Sequence, residues 1–197
     1  THCIGDSANR KMLEIYGSHL KTKNDRRWRI EHAQVVTPED RELFSRYSIV
    51  PSVQPTHATS DMNWAENRLC ADRISGAYAY KSLLACLNYL PLGTDFPVEN
   101  ISPLHTFYAA VYRQDHQQQP RDGFLASEAL SPKEALLGMT RWAAQACFME
   151  DRIGSIEAGK QADFIVTEED FLYKKDAFRT RIKQTWISGV PRYTNEF

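Results

Sequence analysis

An α/β fold is predicted from this 197-residue sequence: a parallel sheet with crossover helices, followed by a small β unit. Up to about residue 150, short apolar runs alternate with longer amphipathic stretches, which is typical of parallel strands joined by helices. Beyond that point Gly154, Gly159 and Gly189 separate short β-like runs. We therefore expect two segments, an α/β segment 1–150 and a β segment 151–197.

Four strand–helix units are predicted in the α/β segment. Two of the helix starts carry clear signals: Asp6 is a good N-cap residue, and Pro38 follows Thr37 at the first helical position. The first unit contains only the last residues of its strand, and a closed barrel needs eight strands. The residues alone thus leave two architectures open, half of a barrel or an open sheet. The predicted strands are 2–5, 28–32, 49–54 and 90–95, and the predicted helices are 6–20, 37–47, one or two between 61 and 88, and 102–113.

After the fourth unit the sequence predicts a loop, a capped helix and two strands. The polar run 114–123 indicates a surface loop, and we expect Arg113 to lie at a solvated helix end just before it. Ser131 and Glu134 have the spacing of a capping box, at the head of a helix that runs to about residue 148. The two β-like runs are 162–167 and 184–188.

Composition excludes several classes of partner. The net charge of −1 is too small to steer the chain to nucleic acid or to acidic lipid, so we expect neither as a partner. No apolar run approaches the roughly 20 residues that cross a membrane, and the start of the chain lacks the pattern of a secretory signal. The four cysteines form no C-x-x-C pair, which favours reduced thiols and a cytoplasmic location.

Three polar side chains, those of His2, His32 and Asp95, stand at the carboxyl ends of predicted strands. Active sites form at this edge in parallel α/β folds, and two imidazoles with a carboxylate suit zinc, manganese or iron. From spacing alone, a histidine at a strand end is more often a hydrogen-bonded structural residue than a metal ligand. His57 follows the third predicted strand, where it could hold substrate or make a loop hydrogen bond.

Five short motifs occur in order along the chain, and four of them contain these residues. Together they resemble the amidohydrolase superfamily, most closely the subgroup that includes N-substituted formamide deformylases. The resemblance implies the C-terminal half of a (β/α)8 (TIM-type) barrel in residues 1–150, with about four βα units, and a part of the family's β-sandwich in residues 151–197. The motifs are HCIGD at 2–6, RIEHAQ at 29–34, QPTH at 54–57, GTDFPV at 93–98 and RIGSIEAGKQADFIV at 152–166.

The same resemblance implies roles for individual residues. His2, His32 and Asp95 match the metal ligands of the fifth, sixth and eighth barrel strands, and Asp95 also matches the residue that moves the proton. His57 is the candidate for substrate binding. The implied cofactor is a divalent metal, with zinc as the first choice, and one or two ions in the full-length enzyme. The H-x-H ligands of the first barrel strand have no counterpart in this sequence, so we expect the chain alone to lack a complete site.

Two hypotheses of function follow. The first is metal-dependent hydrolysis of a carbon–nitrogen bond other than a peptide bond, such as an amide or formamide, in a small-molecule substrate by the full-length enzyme. The second is an inactive α/β fragment that serves as a structural or interaction remnant. In either case half a barrel leaves open strand edges and an uncovered apolar sheet face, which predicts a homo-oligomer.

Overall fold

Three short parallel strands form the sheet on which the functional residues are carried. The computed structural model describes residues 1–195. The strand order is β1–β2–β3, with Cys3 opposite His32 and Ile30 opposite Pro51. Each strand is followed by a helix, as the alternation of the sequence predicts. The bounds are β1 (His2–Cys3), α1 (Asp6–Leu20), β2 (Arg29–His32), α2 (Pro38–Tyr47), β3 (Val50–Ser52) and α3 (Pro55–Ile74).

Four further helices and an antiparallel meander complete the described chain. The meander has three strands where the sequence predicted two, because residues 190–194, which follow a tight turn at Ser188 and Gly189, also pair with the strand before them. No helix within residues 1–195 is both long and apolar enough to cross a membrane. The bounds are α4 (Tyr80–Leu87), α5 (Pro103–Tyr112), α6 (Pro132–Met139), α7 (Arg141–Ala146), β4 (Phe164–Thr167), β5 (Ile182–Ile187) and β6 (Val190–Thr194).

The fourth predicted strand, 90–95, is reduced to a single parallel bridge between Leu92 and Val53. Val53 N–H donates to the carbonyl of Pro91 at 3.1 Å, and Gly93 N–H donates to the carbonyl of Val53 at 3.0 Å. Pro91 has no N–H of its own, and Leu92 N–H donates instead to the carbonyl of Gly138 in α6 at 3.0 Å. The pairing therefore lies where it was predicted, but it is too short to form a strand.

Two helix boundaries also differ from the prediction. Helix α3 begins at Pro55, six residues before the predicted start at residue 61, because Pro is favoured in the first helical turn. His57 consequently lies in the first turn of a helix and not at the end of a strand. The helix predicted from Ser131 to residue 148 is divided at Thr140, whose φ and ψ are −123° and −90°. The predicted capping box at its head is confirmed: Ser131 and Glu134 each accept the other's backbone N–H.

The core lies where helices cover the sheet. Ile30 in β2 and Val50 in β3 are fully buried, as are Leu13 of α1 and Phe44 of α2. Residues beyond 150 also contribute apolar contacts, since the rings of Phe171 and Phe178 pack edge-on against Phe107 and Tyr108 of α5 at 5.0 and 4.7 Å. The division into segments 1–150 and 151–197 stays a prediction.

The close packing of α6 against the segment that carries Leu92 gives a prediction about stability. A Cβ atom at Gly138 would lie 2.6 Å from Cγ of Leu92 and 2.9 Å from the carbonyl oxygen of Leu90, so one of the elements must move. We expect Gly138→Ala to lower the free energy of unfolding by about 1–3 kcal/mol, the usual cost of overpacking. Gly5→Ala is the matched control, because no atom lies within 4 Å of its added Cβ. Urea titration measures both, and equal midpoints would contradict this packing.

Candidate metal centre

The four functional residues predicted from the sequence come together at one edge of the sheet. His2 lies in β1, and His32 is the last residue of β2. His57 lies in the first turn of α3 after β3, and Asp95 follows the Leu92 bridge by three residues. Because the strands are parallel, their carboxyl ends meet at the same edge, where parallel α/β folds place their sites.

The distances between these side chains are short. His2 Nδ1 lies 2.9 Å from His32 Nε2, and His57 Nε2 lies 3.4 Å from Asp95 Oδ2. The rings of His32 and His57 are stacked with 5.6 Å between their centroids. One ligand atom from each of His32, His57 and Asp95 lies within 4.8 Å of the others. His57, predicted to bind substrate, thus shares the centre with two of the predicted ligands, while His2 is exposed and contacts the centre through His32.

Gln54 orients the most buried of these imidazoles. Its side-chain oxygen lies 2.9 Å from His32 Nδ1, so Nδ1 carries the hydrogen and Nε2 presents its lone pair. The hydroxyl of Tyr80 donates to the backbone carbonyl of Gln54 at 3.0 Å and fixes that residue in turn. An outer partner of this kind is the usual companion of a metal-binding histidine. Gln54 stands in the QPTH motif, but no pattern in the sequence predicts its contact with His32.

The unsatisfied groups of the centre fit a divalent cation. Because His32 carries its hydrogen on Nδ1, its Nε2 accepts the hydrogen bond from His2 Nδ1. A divalent cation held by these two nitrogens would replace that one proton. His57 Nε2 is buried, and within residues 1–195 it has no hydrogen-bond partner of acceptable geometry. Burial lowers the pKa of His57, which keeps the ring in the neutral form that binds metal. Imidazole nitrogens with a carboxylate oxygen form a donor set suited to zinc and related ions.

The backbone is strained at two residues of the centre, His32 and Asp95, and at Ala33 beside His32. His32 and Asp95 have φ of 74° and 59°, and Ala33, directly after His32, has φ of 40°. A residue with a Cβ atom raises the conformational energy when its φ lies in this left-handed region. Such strain is concentrated at functional sites, where the surrounding structure maintains it. The strain therefore coincides with the residues that the sequence singles out for chemistry.

Comparison with known proteins places this arrangement in a family. A family model described as the amidohydrolase family matches residues 1–193. Protein LONG AFTER FAR-RED 3 of Arabidopsis thaliana is 38% identical over 201 residues, covering 98% of this chain and 33% of that protein. The N-substituted formamide deformylase of Arthrobacter pascens is 26% identical over 199 residues, covering 98% of this chain and 36% of that enzyme. The chain thus spans about a third of the length of these curated relatives.

Among solved structures, an uncharacterized metal-dependent hydrolase from Pyrococcus horikoshii OT3 has a similar fold. It is 30% identical, with a TM-score of 0.76, over 89% of this chain and 34% of that one. Within residues 1–195, the clustered side chains of His32, His57 and Asp95 are candidates to hold a metal ion. The sequence resemblance is confirmed at the level of the family, since the family model covers almost every residue. The chain belongs to the amidohydrolase family.

Proposed function

We propose that this chain forms part of a hydrolase that uses zinc to cleave a carbon–nitrogen bond other than a peptide bond, such as an amide or formamide, in a small molecule. The observation that carries the proposal is the convergence of His32, His57 and Asp95 within 4.8 Å at the carboxyl edge of a parallel sheet. Membership of the amidohydrolase family supports the reaction class. The weak likeness to a formamide deformylase supports the choice of a formamide or simple amide as first substrate.

In this proposal the three strands and the Leu92 bridge are the last four strand positions of a (β/α)8 barrel, and β4–β6 belong to the family's β-sandwich. The strand order and the parallel pairing support it, as does the likeness to about a third of a larger metal-dependent hydrolase. Within residues 1–195, β1 pairs on one side only. That edge is also the basis for predicting a homo-oligomer, because unpaired edges invite pairing.

The proposed roles of the side chains follow from their atoms. His2 and His32 offer ring nitrogens to the metal, and Asp95 offers a carboxylate oxygen. When bound, a divalent ion supplies Lewis acidity towards the scissile carbonyl and lowers the pKa of water. Asp95 accepts the proton of the attacking water and returns it to the leaving amine, the usual work of a general base and acid.

His57 is proposed to serve the substrate. Its neutral Nε2 lies 3.4 Å from Asp95 Oδ2, so a carbonyl attacked near Asp95 would also be close to this ring. When the neutral ring carries its hydrogen on Nε2, that N–H can donate to the carbonyl oxygen as negative charge develops there, which stabilises the transition state.

The proposal is tested by an activity assay in which the substrate class is varied. The purified full-length protein is incubated with zinc and a panel of N-formyl amines, simple amides and dipeptides of matched side chains. We expect hydrolysis of N-formyl amines or amides that a chelator abolishes and added zinc restores, with the dipeptides uncleaved. Metal-independent turnover, or preferential cleavage of dipeptides, would contradict the proposed reaction. Absence of both zinc binding and turnover would favour the structural remnant.

A further inference from the structure

The loop that follows β2 has an unusual backbone. His32 and Ala33, with φ of 74° and 40°, are two consecutive non-glycine residues in the left-handed region. Residues with a Cβ atom avoid this region unless the surrounding structure holds them there. The ring of His32 is central to the metal centre. Whatever holds this loop therefore also sets the direction of His32 Nε2.

Gln34 is the residue through which the loop is held. Its side-chain Nε2 donates to Asp61 Oδ2 at 2.9 Å and to the hydroxyl of Tyr78 at 3.1 Å. Its backbone carbonyl accepts the N–H of Tyr78 at 2.7 Å. Gln34 is buried, so water cannot easily replace these partners. The left-handed residues before it cannot relax to extended backbone without disturbing this set of hydrogen bonds.

Asp61 connects Gln34 to the other imidazole. It lies four residues after His57 in α3, so both side chains project from the same face of the helix. The hydroxyl of Tyr78 donates to Asp61 Oδ2 at 2.8 Å, and that same oxygen accepts the amide of Gln34. Burial, with a further contribution from the bond to Asp61, raises the pKa of Tyr78 well above its usual range, so the hydroxyl stays a donor.

We infer that Asp61 and Tyr78 are positioning residues for the metal centre: they hold Gln34, and through it keep His32 Nε2 directed at the space that it shares with His57 and Asp95. The inference rests on the proposed function, since it concerns the same site. It adds two residues that act through Gln34 and not on metal or substrate. A purely structural role in packing α3 would instead affect stability and leave the ring of His32 unchanged.

The inference is tested on the whole chain with two measurements. Calorimetric titration gives the zinc affinity, and ¹⁵N NMR of the histidine rings gives the tautomer of His32 without metal. We expect Asp61→Ala to lower zinc affinity by about 10–100-fold, as loss of an outer partner typically does. His32 should then lose its single Nδ1–H tautomer. Asp61→Asn keeps an oxygen acceptor and should recover most of the zinc affinity and of the His32 tautomer. Tyr78→Phe should give values between those of Asp61→Ala and Asp61→Asn.

Asp40→Ala is the matched control for a buried carboxylate outside the site. Asp40 is 4% exposed and accepts from Arg10 and Thr37, both at 3.0 Å. Its removal should lower the melting temperature and leave zinc affinity and the His32 tautomer unchanged.

If Asp61→Ala does not fold, Tyr78→Phe decides by the same two measurements. Parental zinc affinity and tautomer in the folded variants would overturn the inference. A parent chain that binds no zinc would refute the proposed function, while the tautomer still decides the positioning role.

Discussion

Asp95→Asn is expected to keep most of the bound metal while kcat in the active enzyme falls by about 10²–10⁴-fold, the usual contribution of general acid–base catalysis. The amide retains one oxygen ligand and nearly the same shape, so the site can still form. It loses the negative charge and the basicity that accept a proton from water. Metal content and kcat, both measured at saturating zinc on an N-formyl amine, separate the two roles of this side chain.

Asp72→Asn is the control for the same chemical change in an exposed residue of α3, and its kcat should equal that of the parent. An Asp95→Asn enzyme with full metal and a near-parental rate would show that Asp95 is not the proton acceptor. His57 would then be the nearest titratable side chain to consider, because its Nε2 lies 3.4 Å from Asp95 Oδ2.

His32→Ala is expected to lower zinc affinity and rate together. The substitution removes a ligand nitrogen outright, and it also leaves His2 Nδ1 and Gln54 Oε1 without the partner that each has at 2.9 Å. We therefore expect a loss of zinc affinity larger than the roughly 10–100-fold that follows removal of an outer partner. Excess zinc should restore part of the rate, because the proton-accepting carboxylate is intact.

His19→Ala is the matched control, since His19 is an exposed histidine in the last turn of α1. The zinc affinity of the His19→Ala variant should equal that of the parent. The prediction for His32 fails if His32→Ala binds zinc as tightly as the parent, or if excess zinc restores none of the lost rate. The second result would assign His32 to substrate or to fold, and not to the metal.

The sequence predicted the strand-end residues of the centre because strand ends can be recognised from the alternation of apolar and helical runs. His32 and Asp95 each end such a run, His2 lies in the last residues of another, and parallel pairing brings these ends together. The ligand assignment itself came from the resemblance and stays a proposal. The capping box at Ser131 was predictable for a similar reason, since it depends on residues three positions apart.

The residues that surround the centre could not be predicted in the same way. Gln54, Asp61 and Tyr78 act through contacts between elements that lie far apart in sequence, and no local pattern marks such a partner. The Asp61 carboxylate looks like any polar residue of a helix until Gln34 and Tyr78 are placed beside it. Backbone strain at His32 is likewise invisible in the sequence, because it depends on what holds the loop.

Arg113 shows how a local prediction fails. At the end of a helix and before a polar run it was expected in solvent, yet it is 0% exposed. The polar run turns back, so that Arg113 Nε donates to the carbonyl of Phe124 at 2.8 Å and the guanidinium lies 4.8 Å from the centroid of the Tyr80 ring. Burial lowers the pKa of this guanidinium. Residues 114–123 fold back so that Phe124 contacts the end of α5. This is a tertiary contact, and the periodicity of the helix cannot predict it.

The central claim is that imidazole and carboxylate side chains at the sheet edge bind a divalent metal, and zinc K-edge X-ray absorption of the zinc-loaded chain tests it most directly. The free cysteines, Cys70 and Cys147 among them exposed, offer a competing sulfur donor whose bond to zinc is longer, at about 2.3 Å. We predict a shell of nitrogen and oxygen ligands at about 2.0–2.2 Å, without sulfur, that is lost in the His32→Ala/Asp95→Ala double variant. A sulfur shell, or a spectrum that the double variant leaves unchanged, would contradict the proposed centre.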